Sequence, residues 1–249
     1  MKKVWLLVAL GIGAFLLLAS LTLPARVVLS FFHPPGVTLT GVSGTIWKGR
    51  AQAVRSGALH VGSVEWNLDV LRLFTGRLGA DVKVTRSDGF AEASIAGTPG
   101  GALTLRGLNA SLPMGALPPN VAPGGWTGTL SLTLAQLVLD DAWPVAATGN
   151  IEIADLVGPA NRPAALGSYR VVFPAEGAGA GDTLTGALSD TGGPLAVNGT
   201  VQLKKDRSYL VNGMIATRPG APSDMTRTLE ILGAPDAQGR RPFTLEGTM

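Results

Sequence analysis

Beyond residue 36 the apolar side chains fall on every second position, and that period leaves the chain few folds to choose from. Leu130, Leu132 and Leu134 alternate with Thr129, Ser131 and Thr133, and Val82 and Val84 alternate with Asp81, Lys83 and Thr85. Leu103 and Leu105 alternate with Thr104 and Arg106, and Ile151 and Ile153 flank Glu152. Leu195, Val197, Val201, Leu203, Tyr209, Val211 and Ile215 all carry odd numbers. Successive side chains of a strand point to opposite faces, so the pattern describes antiparallel strands with one buried and one wet face. Parallel strands covered on both sides would read as continuous apolar runs instead. After Leu134 the apolar phase shifts to Leu137 and Leu139. A slip of one residue would turn those leucines to the other face, and a bulge near Ala135 and Gln136 accounts for it.

Glycine punctuates the strand ends, as at Gly41, Gly44, Gly49, Gly57 and Gly62. The run Lys204-Lys205-Asp206-Arg207-Ser208 between two alternating stretches predicts a hairpin tip. Helical signal is scarce. One short helix is expected over Asn67 to Gly76, where Leu68, Leu71, Leu73 and Phe74 make a partial stripe. A second is expected over Ser223 to Gly233, with Ser223 as its N-cap, Met225, Leu229 and Leu232 on one face, and Gly233 ending it. Pro113 to Gly125 and Val157 to Gly167 read as connections, and Glu176 to Asp182 as a flexible tip. The predicted fold class is therefore mainly β, a curved antiparallel sheet or sandwich-like domain with one or two short helices.

Ahead of this lies Val4 to Leu23, twenty residues without a charge. As a helix rising 1.5 Å per residue it would span about 30 Å, the thickness of a hydrocarbon core. Lys2 and Lys3 precede it, and only Arg26 follows closely, so the lysine end is expected in the cytoplasm. The rival reading is a cleaved signal peptide, whose apolar core is normally about 7–15 residues. The candidate cleavage site Leu23-Pro24-Ala25 has a large residue at the outer small position, which favours an uncleaved anchor. Either way the remainder is exported. The expected organisation is a cytoplasmic tail over 1–3, a transmembrane signal anchor over 4–23, a juxtamembrane linker over 24–36 and a periplasmic β domain over 37–249. Subdivision of that domain would fall near 113–125 or 157–167.

Composition narrows the chemistry. No cysteine occurs among the 249 residues, which excludes disulfides, thiolate metal sites and a cysteine nucleophile. The two histidines, His33 and His60, are too few for a multi-histidine metal cage. His33 reads as a linker residue beside Pro34 and Pro35, and His60 as an exposed strand residue. With Lys2 and Lys3 set aside, the other charges nearly balance, so nothing points to nucleic acid. No serine stands in GxSxG. Asp140-Asp141 reads as a turn, and the tip Gly177-Ala178-Gly179-Ala180-Gly181 lacks the lysine of a phosphate loop. Neither an enzyme nor a bound cofactor or metal is expected. Trp47, Trp66, Trp126 and Trp143 read as packing residues, any of which would serve as an interface anchor if exposed.

One stretch is more specific. Gly41-Val42-Ser43-Gly44-Thr45-Ile46-Trp47-Lys48-Gly49-Arg50-Ala51 is a strand–turn–strand unit that follows closely on Leu23-Pro24-Ala25. The C-terminal end carries Leu232-Gly233, Asp236, Gly239 and a last strand Phe243-Thr244-Leu245-Glu246-Gly247. On these residues, with the order of elements and the length, the chain resembles the type II secretion system protein N family, also called general secretion pathway protein N. Over residues 85–210 the likeness rests on pattern alone. The resemblance implies a non-catalytic inner-membrane component of the machine that carries folded proteins from the periplasm across the outer membrane. It implies other components of that machine as partners, either inner-membrane assembly proteins or the outer-membrane secretin. Val42, Ser43, Gly44, Trp47 and Gly49 are the candidate partner-binding residues, beside the plainer reading of a hairpin needed for folding. The chain is also similar to AsmA-type envelope proteins, which implies the alternative of lipid handled in an apolar β groove. An open sheet would favour the second reading and a closed one would make the apolar face core.

Overall fold

The computed structural model describes residues 22–31, 36–57, 59–69, 78–97, 100–117, 125–159, 163–175 and 183–248. After a short helix α1 (Ala25–Phe31) come β1 (Val37–Thr40), β2 (Ser43–Gly44), β3 (Lys48–Ser56), β4 (Leu59–Leu68), β5 (Leu78–Thr85), β6 (Phe90–Gly97) and β7 (Leu103–Pro113). A 3-10 turn (Met114–Ala116) leads to β8 (Thr127–Asp140), β9 (Trp143–Val157), β10 (Ala165–Phe173), β11 (Thr183–Gly192), β12 (Leu195–Lys204) and β13 (Ser208–Thr217). Helix α2 (Ser223–Leu229) and a second 3-10 turn (Glu230–Leu232) precede β14 (Arg241–Thr248). All fourteen strands belong to one antiparallel sheet in which nearly every strand pairs with its neighbour in sequence. β1 and β2 lie end to end along the outer side of β3, and β14 ends the sheet at the other side. Among the described residues β1 does not pair with β14, so the sheet does not close.

The predicted alternation becomes two continuous cross-strand rows. One runs Ala51, Val64, Val84, Ala91, Ala110, Leu132, Ile151, Val171, Leu188, Gly199, Gly213 and Phe243, from β3 to β14. Its neighbour on the other face begins Arg50, Glu65, Lys83, Glu92 and continues through Asn109, Thr133 and Asn150. Side chains at directly paired positions share a face, so from β3 to β9 one face is apolar and the other polar.

The bulge expected near Ala135 is present. Pairing between β8 and β9 shifts between Leu134 and Gln136, and β7 carries its own extra residue against β6 at the same level. The extra residue of β8 keeps Leu137 on the cluster that buries Leu134, which explains the change of phase. Further shifts bend β3 against β4, β6 against β7 and β9 against β10. Curl is tightest past β9, which approaches β11 and β12 although β10 lies between them. Inside this curl sits the main core, Leu134, Ala147, Phe173 and Leu184, with Ile151, Val171 and Leu203 packed on it. A second cluster joins Leu195 and Val197 to Met225 of α2, with Tyr169, Ile215 and Phe243 beside it. No apolar side chain of β4–β6 is fully buried among the described residues. There the apolar face mixes Val64, Trp66, Val82 and Val84 with Ala80, Ala91 and Ala93, and the alanines offer little area to bury.

Two helix expectations change. Asn67 and Leu68 pair with Asp81 and Ala80, so they end β4 and do not open a helix. The rest of that segment, 70–77, lies outside the described residues, as do His33, most of the apolar run 4–23 and the tip 176–182. Helix α2 does begin at Ser223, but Pro222 occupies the N-cap without a side-chain cap, and its carbonyl accepts from the Met225 N–H at 3.1 Å. Met225 and Leu229 face the core, whereas Leu232 lies in the 3-10 turn and is exposed. Gly233 ends the turn at φ +100°. No described helix is long and apolar enough to cross a membrane.

The loop before β14 is organised by Asp236. Its Oδ1 accepts from the backbone N–H of Gln238 at 2.9 Å and of Arg240 at 2.8 Å, and its Oδ2 accepts from the Arg240 guanidinium at 3.0 Å. These donors, the Arg240 backbone N–H foremost, hold the Asp236 carboxyl below the usual carboxylate range. A depressed folded value means that the loop is stabilised above the unfolded value, about pH 4, and loses that contribution as pH falls through the folded one. In NMR spectra the Arg240 amide should titrate in that acid window. Asp236→Asn, which keeps the acceptor, should abolish the titration; an unchanged titration would place its source elsewhere.

Candidate functional site

The Ser43 to Arg50 unit folds back on itself, with Ser43 opposite Arg50 and Gly44 opposite Gly49. Thr45 closes the turn. Its N–H donates to the Lys48 carbonyl at 2.9 Å, and the Lys48 N–H donates to Thr45 Oγ1 at 3.1 Å. Gly44 has φ +86°, and a Cβ there would stand 2.5 Å from the Lys48 carbonyl oxygen. At Gly49 the constraint is proximity alone. A Cβ would lie 2.6 Å from Trp66 Cζ2 and 2.8 Å from the carbonyl oxygens of Ser43 and Thr45. The Trp66 indole thus rests on a bare Cα, and its Nε1 donates to the Ile46 carbonyl at 3.0 Å. Leu68 donates its N–H to the Trp47 carbonyl at 2.6 Å.

The same turn receives the chain's own preceding segment. Pro24 forms a bridge with Thr45, and the Ile46 N–H donates to the Leu23 carbonyl at 3.0 Å. Ala25, the next residue, is completely buried, and the Pro24 carbonyl accepts from the Val27 N–H at 3.1 Å to begin α1. The motif is therefore a socket that fixes residues 23–25 to the first edge of the sheet.

Beside it, across β2 to β7, lies an open groove of about 690 Å³. Its charged lining belongs to the polar rows: Lys48, Arg50, Glu65, Asp81, Lys83, Glu92 and Arg106. Arg50 and Glu65 approach to 3.8 Å, and Lys83 and Glu92 to 3.9 Å. Both pairs are solvated, so each contributes about 0–1 kcal/mol. Their effect is a surface of alternating sign, suited to reading a partner's charges.

Of the five candidate residues, Ser43, Gly44 and Gly49 line this groove, while Val42 and Trp47 are half-buried and do not. The charged lining was missed in the sequence, although its signal is there: each strand from β3 to β6 puts a charge on the same face. His60 lies exposed, accepting from Arg55 Nε at 3.3 Å. Asp140 pairs with Trp143 across a two-residue turn in which Asp141 and Ala142 have φ of 48° and 60°. Among the described residues no three acidic or histidine side chains gather to hold a metal ion.

Comparison with known proteins adds the decisive finding. The family described as type II secretion system (T2SS), protein N, matches residues 35–244. A protein of Aeromonas hydrophila named Type II secretion system protein N is 28% identical over 258 aligned positions, covering 99% of both chains. A protein of the same name from Vibrio cholerae serotype O1 is 27% identical over 237 positions, covering 91% of both. No solved structure matches the chain.

Proposed function

Since this chain belongs to the type II secretion system protein N family, we propose that it is a non-catalytic inner-membrane component of that system. In this reading residues 4–23 are a signal anchor, the sheet lies in the periplasm, and the sheet assists export of folded proteins by binding other components of the machine. The supporting observation is the socket. It fastens residues 23–25, at the end of the apolar run, to the sheet's first edge beside the groove. A partner carrying charges of both signs would match the Arg50 to Glu92 row, and its binding would weaken with salt.

The test is a clean deletion in the native bacterium, with folded exoproteins assayed in the medium and the periplasm. Accumulation in the periplasm, reversed by the full chain, is the expected result. One observation favours a second reading: the sheet does not close, and its apolar face carries no fully buried side chain in β4–β6. A lipid handled on that face would account for it. Normal secretion together with a detergent-sensitive envelope would establish that reading in place of the first.

A further inference from the structure

The two ends of the sheet are built differently. The first is broken into a four-residue β1 and a two-residue β2, separated by Gly41 at φ +66°, and Leu23 and Pro24 are laid along the turn that follows. Short edge strands and a covering segment are the usual guards against another chain adding to a sheet. β14 has little of this. It pairs with β13 over eight residues without a register shift, carries no lysine, and has its one proline at the second position. Leu245 ends an apolar row that begins Gly186, Val201 and Val211, yet it is 60% exposed. The adjoining 3-10 turn packs beside β14 and bears Ile231, 84% exposed, and Leu232. Among the described residues an unpaired ladder and unfilled apolar positions thus coincide at one edge.

We propose that two copies of this chain join through β14, antiparallel, on a two-fold axis through Thr244. A strand added here continues both faces only if it meets Phe243 and Leu245 with apolar side chains and Thr244 and Glu246 with polar ones. β14 itself has that alternation. With Thr244 opposite Thr244 of the second copy, Phe243 of each chain faces Leu245 of the other, and the two threonines form a favourable cross-strand pair. Charge selects this register. Moving the axis by one residue, to Leu245, would set the two Glu246 carboxylates diagonal to each other. The contact is isologous, so it closes at two copies. It does not depend on the secretion reading.

The chain's lack of cysteine makes the test direct. Facing Cβ atoms on an antiparallel pair lie about 4.5–5.5 Å apart, close to the reach of a disulfide. Full-length chain with Thr244→Cys, mildly oxidised in the cells that make it, should run at twice its mass on a non-reducing gel. Thr38→Cys, on β1 at the opposite edge, should not. In detergent, light scattering should give the mass of two chains for the unaltered protein and of one for Leu245→Arg, with the β circular dichroism retained. Crosslinking of Thr244→Cys no stronger than that of Thr38→Cys, its capture of a different protein, or a single-chain mass for the unaltered protein would each overturn the proposal. The cysteine readout stands even if the arginine variant fails to fold.

Discussion

Phe173→Ala should cost about 3–5 kcal/mol, a large share of the 5–15 kcal/mol that holds a typical domain folded. Phe173 is 4% exposed at the centre of the main core, against Leu134, Ala147 and Leu184. It also has no room to be replaced by a shifted neighbour. The strand beside it presents Gly186, where a Cβ would stand 2.8 Å from Phe173 Cε1, so the ring occupies the space of the missing side chain. Truncation leaves a cavity under a backbone that has nothing to fill it, the case in which the transfer and cavity terms add. Phe90 supplies the comparison. It lies 42% exposed on the polar side of β6, opposite Thr85 and Ser111, and its truncation should cost about 1 kcal/mol or less. Urea unfolding of the two variants measures the difference. Equal losses would mean that the β8 to β12 curl is not where the chain buries its core.

That core was legible because alternation is a local property. Leu130, Leu132 and Leu134 announce a face, and the broken phase at Leu137 announces the bulge that the register of β8 with β9 contains. The edges were less legible. Whether the sheet closes depends on β1 meeting β14, two segments about two hundred residues apart, and no local pattern encodes that meeting. Asn67 and Leu68, expected to open a helix, instead end β4, because pairing with Asp81 and Ala80 of β5 claims them and no local spacing reports that contact. Ser223 looked like a cap because caps are recognised by residue type, but Pro222 already sets an extended entry to α2 and leaves the serine inside the first turn. At the candidate site Gly49 was visible as punctuation. Its reason, an indole contributed by the next strand, was not, because Trp66 is distant in sequence and meets Gly49 only through the register of β3 and β4.

Gly49→Val is the substitution that should separate the socket from the core. The glycine is not needed for its backbone angles, since no positive φ is found there; it is needed because three atoms crowd the space a Cβ would take. Two of them are the carbonyl oxygens of Ser43 and Thr45, fixed by the pairing of β2 with β3 and by the Thr45 turn. The third belongs to an indole held by its hydrogen bond to Ile46. None is the free end of a flexible side chain. Alanine should already cost about 1–3 kcal/mol, and valine more, since its branches meet the same walls. The damage should stay local. The Phe173 core lies in other strands, so the protein should still accumulate and keep its β circular dichroism. What should go is the seat for Leu23 and Pro24, and with it export of folded proteins to the medium. Gly115→Ala is the matched control, because nothing lies within 4 Å of a Cβ there and its φ is not positive. Trp66→Phe adds a graded case: it keeps a ring over Gly49 but loses the Nε1 donor, about 1 kcal/mol, and should reduce secretion less than Gly49→Val does. If Gly49→Val secretes normally while limited proteolysis shows residues 23–31 released from the sheet, the seat is a folding contact only, and the groove beside it must act without being fixed to the segment that precedes it.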